Sequence, residues 1–307
     1  MLGFLPPAVR GAIALLLLVC NTLLWCLLLL PLALAKLVLP LPAVRAVIDP
    51  LLNTMATNWT RCNSAWMWLT QRTVWDVQGT DGLRRDTWYL VNCNHQSWVD
   101  IFALQRALSG RAPLLKFFLK QQLLYVPVIG LAWWALDFPF MKRYSREALR
   151  KNRALRDKDR ETTRIACAKF ARTPTSVMNF AEGTRFTAAK HAAQASPYQY
   201  LLQPKAGALA LALNILGDKF DAVLDTTIVY PAGVPTFWQF LCGRVPRVVL
   251  RMRQLPVPRE FCDGDYEADK AFRTRFHQLL AQIWEEKDQQ IGALLQQGSQ
   301  GPHSPQG

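Results

Sequence analysis

The stretch Asn94-His95-Gln96-Ser97-Trp98-Val99-Asp100 sets a histidine five residues ahead of an aspartate. A carboxylate at that distance can hold one imidazole nitrogen as a donor and leave the other as a base, which is what activating a hydroxyl near neutral pH requires. About ninety residues on, Glu182-Gly183-Thr184-Arg185 offers a carboxylate, a glycine that permits a tight turn, a hydroxyl, and a guanidinium whose planar fork grips phosphate in two places. Read in isolation, His95 can also cap a helix or satisfy a buried loop, and the tetrapeptide can be a plain turn.

The surrounding pattern supplies elements to carry these groups. Trp88-Tyr89-Leu90-Val91 is an apolar run that reads as a buried strand ending at the histidine loop, and Asp100-Ile101-Phe102-Ala103-Leu104 reads as the start of a helix. Further strands are expected at Val74 to Gly79, which an Asp81-Gly82 turn separates from Trp88 to Asn92, then at Phe138 to Met141, Ser176 to Ala181, Thr226 to Tyr230 and Arg247 to Leu255. Ser176 to Ala181 delivers Glu182, and Phe138 to Met141 leads to Arg143, a basic residue at a strand end. Lys205 and Gly207 open an apolar helix to about Leu216. Phe272, Phe276, Leu279, Leu280 and Ile283 recur at helical spacing, most simply as a core stripe.

The chain has 307 residues, enough for one large α/β domain with appendages. Its 36 basic against 22 acidic side chains give a net charge of +14, which calls for an anionic partner. Eleven tryptophans and a positive mean hydropathy make a membrane surface the favoured one. Twelve lysines and arginines against four acidic residues fall within 142–172, a solvated face or a binding surface. No nucleic-acid module accompanies them, so nucleic acid is not an expected partner. The seven cysteines form no C-x-x-C pair and have no zinc spacing, and they read as reduced thiols.

Residues 11–35 carry no charge and are bracketed by Arg10 and Lys36. As a helix they would extend about 37 Å, more than the hydrocarbon core needs, and they read as a transmembrane anchor. The run is too long for a cleaved signal peptide, although Ala33-Leu34-Ala35 resembles a cleavage site. Lys36, Arg45, Arg61 and Arg72 follow the anchor against Arg10 before it, which places the bulk of the chain in the cytoplasm. Residues 37–75, with Trp59, Trp66, Trp68 and Trp75, read as a helix along the membrane interface, with an ordinary core helix as the alternative. The organisation expected is a membrane anchor over 1–40, an interfacial segment over 41–73, an α/β domain over 74–296 and a disordered tail over 297–307.

Four pieces in this order, Asn94-His95-x4-Asp100, Phe140-Met141-Lys142-Arg143, Phe180-Ala181-Glu182-Gly183-Thr184-Arg185 and an apolar strand closing on Pro231, resemble the four blocks of the lysophospholipid acyltransferase superfamily. The wording of Phe118 to Leu123 and Val126 to Gly130 is similar to the bacterial inner-membrane branch that includes the YihG-type acyltransferases. The resemblance implies a mixed central sheet flanked by helices, and acyl transfer from acyl-CoA or acyl carrier protein to the free hydroxyl of a lysophospholipid. It implies His95 as general base, Asp100 as its orienting acid, Lys120, Arg143 and Arg185 as holders of the acceptor's phosphate, and Glu182, Gly183 and Thr184 as residues that order the acceptor loop. No metal or cofactor is implied. It also implies a bacterial inner membrane, with the site on its cytoplasmic side and anionic lipid around it.

Asp137 stands where the family usually has glycine, and Tyr230 where it has a small or aliphatic residue. Both fall where the resemblance puts acceptor choice, so a lyso-aminolipid acceptor remains the second reading and a non-enzymatic basic binder the third. Residues 121–136 are uncharged, and if they crossed the bilayer His95 and Arg185 would lie on opposite sides. This segment is therefore expected to dip into one leaflet.

Overall fold

The structure, a computed structural model, describes residues 2–141, 161, 164–165, 169–264, 266 and 268–299. Arg143, Cys167, most of the basic 142–172 segment and the chain beyond Ser299 lie outside the described residues.

Two of the strands carry the two motifs. β2 (Trp88–Cys93) is buried on both faces, as its unbroken apolar run requires, and it occupies an interior place in a six-stranded sheet. With β1 (Val74–Gln78), β3 (Leu115–Phe117), β6 (Ser176–Phe180), β7 (Phe220–Val229) and β8 (Arg247–Leu255), the order is β1-β8-β7-β2-β6-β3. Among the described residues only the β7–β8 pairing is antiparallel, so the sheet is mixed. The Asp81-Gly82 turn thus joins strands that are not neighbours, since β1 pairs with β8 at the edge while β2 lies between β7 and β6. Strand β7 begins six residues earlier than its sequence suggests, at Phe220, because Phe220 to Asp225 also pair with β2.

Helices cover both faces, and two short ones, α5 (Ala188–Gln194) and α7 (Phe237–Leu241), follow β6 and β7. Alternation along β2 sends Tyr89, Val91 and Cys93 to one core, with α3 (Val99–Leu108) and Trp66 and Phe240, and sends Leu90 to the other. That second core is filled by α6 (Ala206–Leu216) and α8 (Lys270–Ser299), whose Phe272, Phe276, Leu280 and Trp284 are buried. Lys287 of α8 is fully buried, paired with Asp225 at 2.9 Å and donating to Thr226 O at 2.6 Å, which bolts the helix to β7. Helix α8 continues to Ser299, into the segment expected as tail.

The N-terminal helices lie against the domain. Pro40 breaks the run between α1 (Pro7–Val38) and α2 (Pro42–Thr70), whereas Pro50 is accommodated inside α2. One face of α1 packs on α2 and on α4 (Ile129–Ala135), and the other leaves Leu16, Leu23, Leu24, Leu27 and Leu34 more than half exposed. By length and composition α1 can cross a membrane. The two charges that bracket it are nevertheless both buried. Arg10 Nε donates to Cys242 O at 2.9 Å, and Lys36 Nζ pairs with Asp49 and Asp137, each at 2.7 Å. Among the four tryptophans expected at the interface, Trp66 enters the core, Trp59 donates to Thr22 on α1, Trp75 lies on β1, and Trp68 is exposed.

The segment expected to dip into a leaflet goes out and comes back. β4 (Leu119–Lys120) and β5 (Phe140–Met141) pair side by side, Leu119 with Phe140, and only a short 3-10 turn and the seven-residue α4 lie between them. A segment whose two ends are hydrogen-bonded neighbours does not cross a bilayer. Asp137 closes it with φ +57°, a left-handed backbone that favours glycine, the residue the resemblance puts at this position. Its carboxylate reaches Lys36 rather than the acceptor region that the family pattern suggested.

Candidate active site

The register of the sheet brings the two motifs together. β2 and β6 are parallel, and Cys93 is opposite Phe180, so the chain leaves both strands at the same edge with His95 and Glu182 as neighbours. Asn94 extends β2 toward β7 with its side chain, Nδ2 donating to Ile228 O at 2.9 Å and Oδ1 accepting from Ile228 N at 2.8 Å. The His95 backbone is then held from the other side. Its N–H donates to Glu182 Oε1 at 2.8 Å and its carbonyl accepts from Phe186 N at 2.7 Å. The imidazole stacks on Phe180, centroids 3.8 Å apart and planes 15° from parallel.

Asp100, in the first turn of α3, is fully buried. Its Oδ2 lies 2.8 Å from His95 Nδ1 and also accepts Gln96 N at 2.7 Å and Ser97 N at 2.9 Å. Two backbone donors fix that oxygen in place before the imidazole meets it. With Nδ1 donating to the carboxylate, Nε2 carries the lone pair. Ser97 Oγ donates to Pro235 O at 2.7 Å and ties the loop to the turn after β7. The second oxygen of Asp100 accepts the Tyr230 hydroxyl at 2.5 Å. Tyr230 therefore belongs to the histidine–aspartate group, and not to the acceptor-selecting surface expected from its place before Pro231. Cys93 is buried beneath, and burial pushes its thiol well above the ordinary range, which suits packing and not nucleophilic attack.

Glu182 is fully buried, with Oε1 on His95 N and Oε2 accepting Leu202 N at 3.2 Å. Burial raises its carboxyl to about 7 against the pull of those two backbone donors. Gly183 has φ +69°, and a Cβ there would meet Lys205 Nζ at 2.9 Å. The positive φ calls for glycine, whereas the mobile tip of Lys205 could give way to a Cβ. Lys190 Nζ donates to Thr184 Oγ1 at 2.7 Å and to Arg185 O at 3.0 Å, which shapes the loop. The guanidinium of Arg185 lies over the Trp98 ring, 4.9 Å from its centroid. Trp98 stands between His95 and Asp100 in sequence, so this contact rests a cation on the loop that carries both.

Lys120 stands apart, exposed on β4, and among the described residues no hydrogen bond or ion pair joins it to the His95 group. Arg143 lies outside the described residues. The buried Lys116 on β3, lowered to about 8 chiefly by burial with Asp137 opposing, belongs with the ion group at Lys36. Sequence reasoning missed Phe180 as a stacking partner, Asn94 as a strand extender and Tyr230 as a donor. Only Tyr230 carried a signal, a tyrosine in place of an aliphatic residue at a strand end. Among the described residues no three His, Cys, Asp or Glu side chains converge as a metal site.

Such a site can deprotonate a hydroxyl presented beside an anionic group. The profile of the Acyltransferase family matches residues 74–234, just over half of the chain, from β1 through Tyr230. The chain belongs to the Acyltransferase family. The 1-acyl-sn-glycerol-3-phosphate acyltransferase gamma of Mus musculus is 26% identical over 248 residues, covering 76% of this chain and 58% of that protein. Its Homo sapiens counterpart is 28% identical over 184 residues, covering 56% of this chain and 44% of that protein. The chain thus spans about half the length of the curated relatives it matches. The crystal structure of the 1-acyl-sn-glycerophosphate acyltransferase PlsC from Thermotoga maritima is 17% identical with a TM-score of 0.47, over 90% of this chain and 97% of that one.

Proposed function

We propose that the protein transfers a fatty acyl group from an acyl thioester, acyl-CoA or acyl carrier protein, to the free hydroxyl of a lysophospholipid, first among them 1-acylglycerol-3-phosphate. The observation that carries this reading is the 2.8 Å contact between His95 Nδ1 and a buried Asp100, which leaves Nε2 as a base. Nε2 takes the proton as the acceptor oxygen attacks the thioester carbonyl carbon. The tetrahedral intermediate collapses with cleavage of the carbon–sulfur bond, and the imidazolium returns the proton to the leaving thiolate. Arg185, held on Trp98, is the proposed grip for the acceptor's phosphate, together with Lys120 and Arg143. Glu182, Gly183 and Thr184 hold the loop that presents it.

The exposed leucine face of α1 supports attachment to lipid, because a continuous apolar surface of that kind is untenable in water. A bacterial inner membrane, with the site on its cytoplasmic side, and the YihG-type branch complete the proposal. These rest on charge distribution and on the wording of residues 118–130. Asp137 and Tyr230 bind Lys36 and Asp100, so they no longer favour a different acceptor headgroup. The test is acyl transfer by the full chain or its His95→Ala variant, with labelled acyl-CoA and acyl carrier protein and a panel of lyso-lipids. Loss on the order of 10²- to 10⁴-fold in the variant is expected. Equal transfer by both forms on every acceptor would refute the reading.

A further inference from the structure

Among the described residues Asp100 Oδ2 has three donors, but Oδ1 has one, the hydroxyl of Tyr230 at 2.5 Å. Both residues are buried, Asp100 completely and Tyr230 to 3% exposure. Water is therefore no substitute for the phenol. Removing that hydroxyl would strand a lone oxygen of a buried carboxylate, a loss much larger than that of an ordinary hydrogen bond. The phenol stays protonated, because burial and the Asp100 charge hold it well above the ordinary range, so it acts as a donor throughout the working pH range.

We propose that Tyr230 is a positioning residue of the His95–Asp100 pair, its hydroxyl drawing charge off the carboxylate and so setting the pH range over which His95 serves as a base. This deepens the base role proposed above and rests on it. The physical step is short. A carboxylate that shares its charge with a phenol stabilises an imidazolium less. Other charges face the pair from every side. Glu182 comes from the end of β6, Asp225 from β7 with its partner Lys287 on α8, and Arg185 lies over Trp98, while the Cys93 thiol on β2 stays neutral. Among the described residues, Tyr230 alone meets Asp100 Oδ1.

The experiment is a ring-nitrogen NMR titration of histidine-labelled full-length chain in detergent. The chain has four histidines, and His95→Ala identifies the relevant signal. Tyr230→Phe, which keeps the ring and its packing, is expected to raise the His95 midpoint by about half a unit or more. Fluorotyrosine at position 230, a stronger donor, is expected to lower it, and this variant decides the matter if the phenylalanine chain does not fold. In parallel, the acid limb of kcat/KM moves the same way while KM for donor and acceptor stays put. An unmoved midpoint in both variants, or a loss of rate equal at every pH, would overturn the assignment. If the wild-type chain shows no His95-dependent transfer, the acyltransferase reading fails, and the ring titration still reports on Tyr230 by itself.

Discussion

The backbone N–H of His95 donates to Oε1 of Glu182 at 2.8 Å, joining residues 87 positions apart. The other oxygen of Glu182 accepts Leu202 N, so one carboxylate holds the base loop of β2 and the chain leading into α6 at once. The two motifs do not merely face each other across the site. The second fixes the backbone of the first.

Glu182→Gln should therefore damage catalysis although it preserves shape. An amide has one oxygen for two N–H groups, and its NH₂ must face one of them, which leaves a buried donor without a partner at about 1–3 kcal/mol. Displacement of His95 is expected to lower kcat about 10- to 100-fold, with acceptor KM changed much less. Steady-state kinetics on the variant checks this. A change confined to KM would mean that Glu182 touches the acceptor instead of ordering the base.

The same carboxyl makes folding stability depend on pH. Its folded value, about 7, lies above the ordinary 4.5, so the native state binds the extra proton between those limits. The contribution is fully present below about 4.5 and is lost as pH rises through about 7. The two values correspond to something on the order of 3 kcal/mol. Denaturant unfolding of the wild-type chain and Glu182→Gln at pH 5 and pH 8 measures it. The wild type should lose stability across the interval, and the variant should lose less.

How much of this was legible in the sequence depends on the distance over which each contact acts. His95 and Asp100 are five residues apart, and a strand end followed by a helix start already implies their meeting. Glu182 was visible as a residue type, but its hold on the His95 backbone depends on the β2–β6 register, which no local pattern encodes. Tyr230 and Asp137 were noticed only as exceptions to a family pattern. That pattern puts both at the acceptor, and nothing in the chain says that a phenol 130 positions away reaches Asp100, or that a carboxylate 101 positions away reaches Lys36. Strands and helices followed from periodicity, and the order of the sheet did not.

Lys36 makes the cost of such a long-range contact measurable. Lys36→Met would remove the one cation that pairs directly with the buried carboxylates of Asp49 and Asp137 and leave them only Lys116 nearby, at about 3–5 kcal/mol. Asp137→Gly removes one of two carboxylates, keeps Lys36 paired with Asp49, and relieves a left-handed backbone position. Its loss should be smaller, about 1–2 kcal/mol. Thermal unfolding in detergent should rank the lysine variant below the glycine variant, and the reverse order would show that backbone relief outweighs the ion pairing.

Arg185 and Trp98 offer the sharpest separation of binding from chemistry. If the guanidinium grips the acceptor's phosphate, Arg185→Ala raises KM for lysophosphatidic acid about 10- to 100-fold, the weight of a charge-assisted pair. It should change KM little for a lyso-lipid acceptor that lacks the phosphate. Arg185→Lys restores charge without the planar fork and should recover only part of the affinity. Trp98→Ala removes the surface on which the guanidinium rests, 4.9 Å below it, and should raise the same KM about 2- to 5-fold, as an exposed cation–π contact warrants. Because the tryptophan acts through the arginine, the double variant should resemble Arg185→Ala and not the product of the two losses. Trp98 also lies between His95 and Asp100 in the chain, so a fall in kcat in Trp98→Ala would show that the ring supports the base loop as well as the cation. Additive losses would mean that Trp98 meets the acceptor directly.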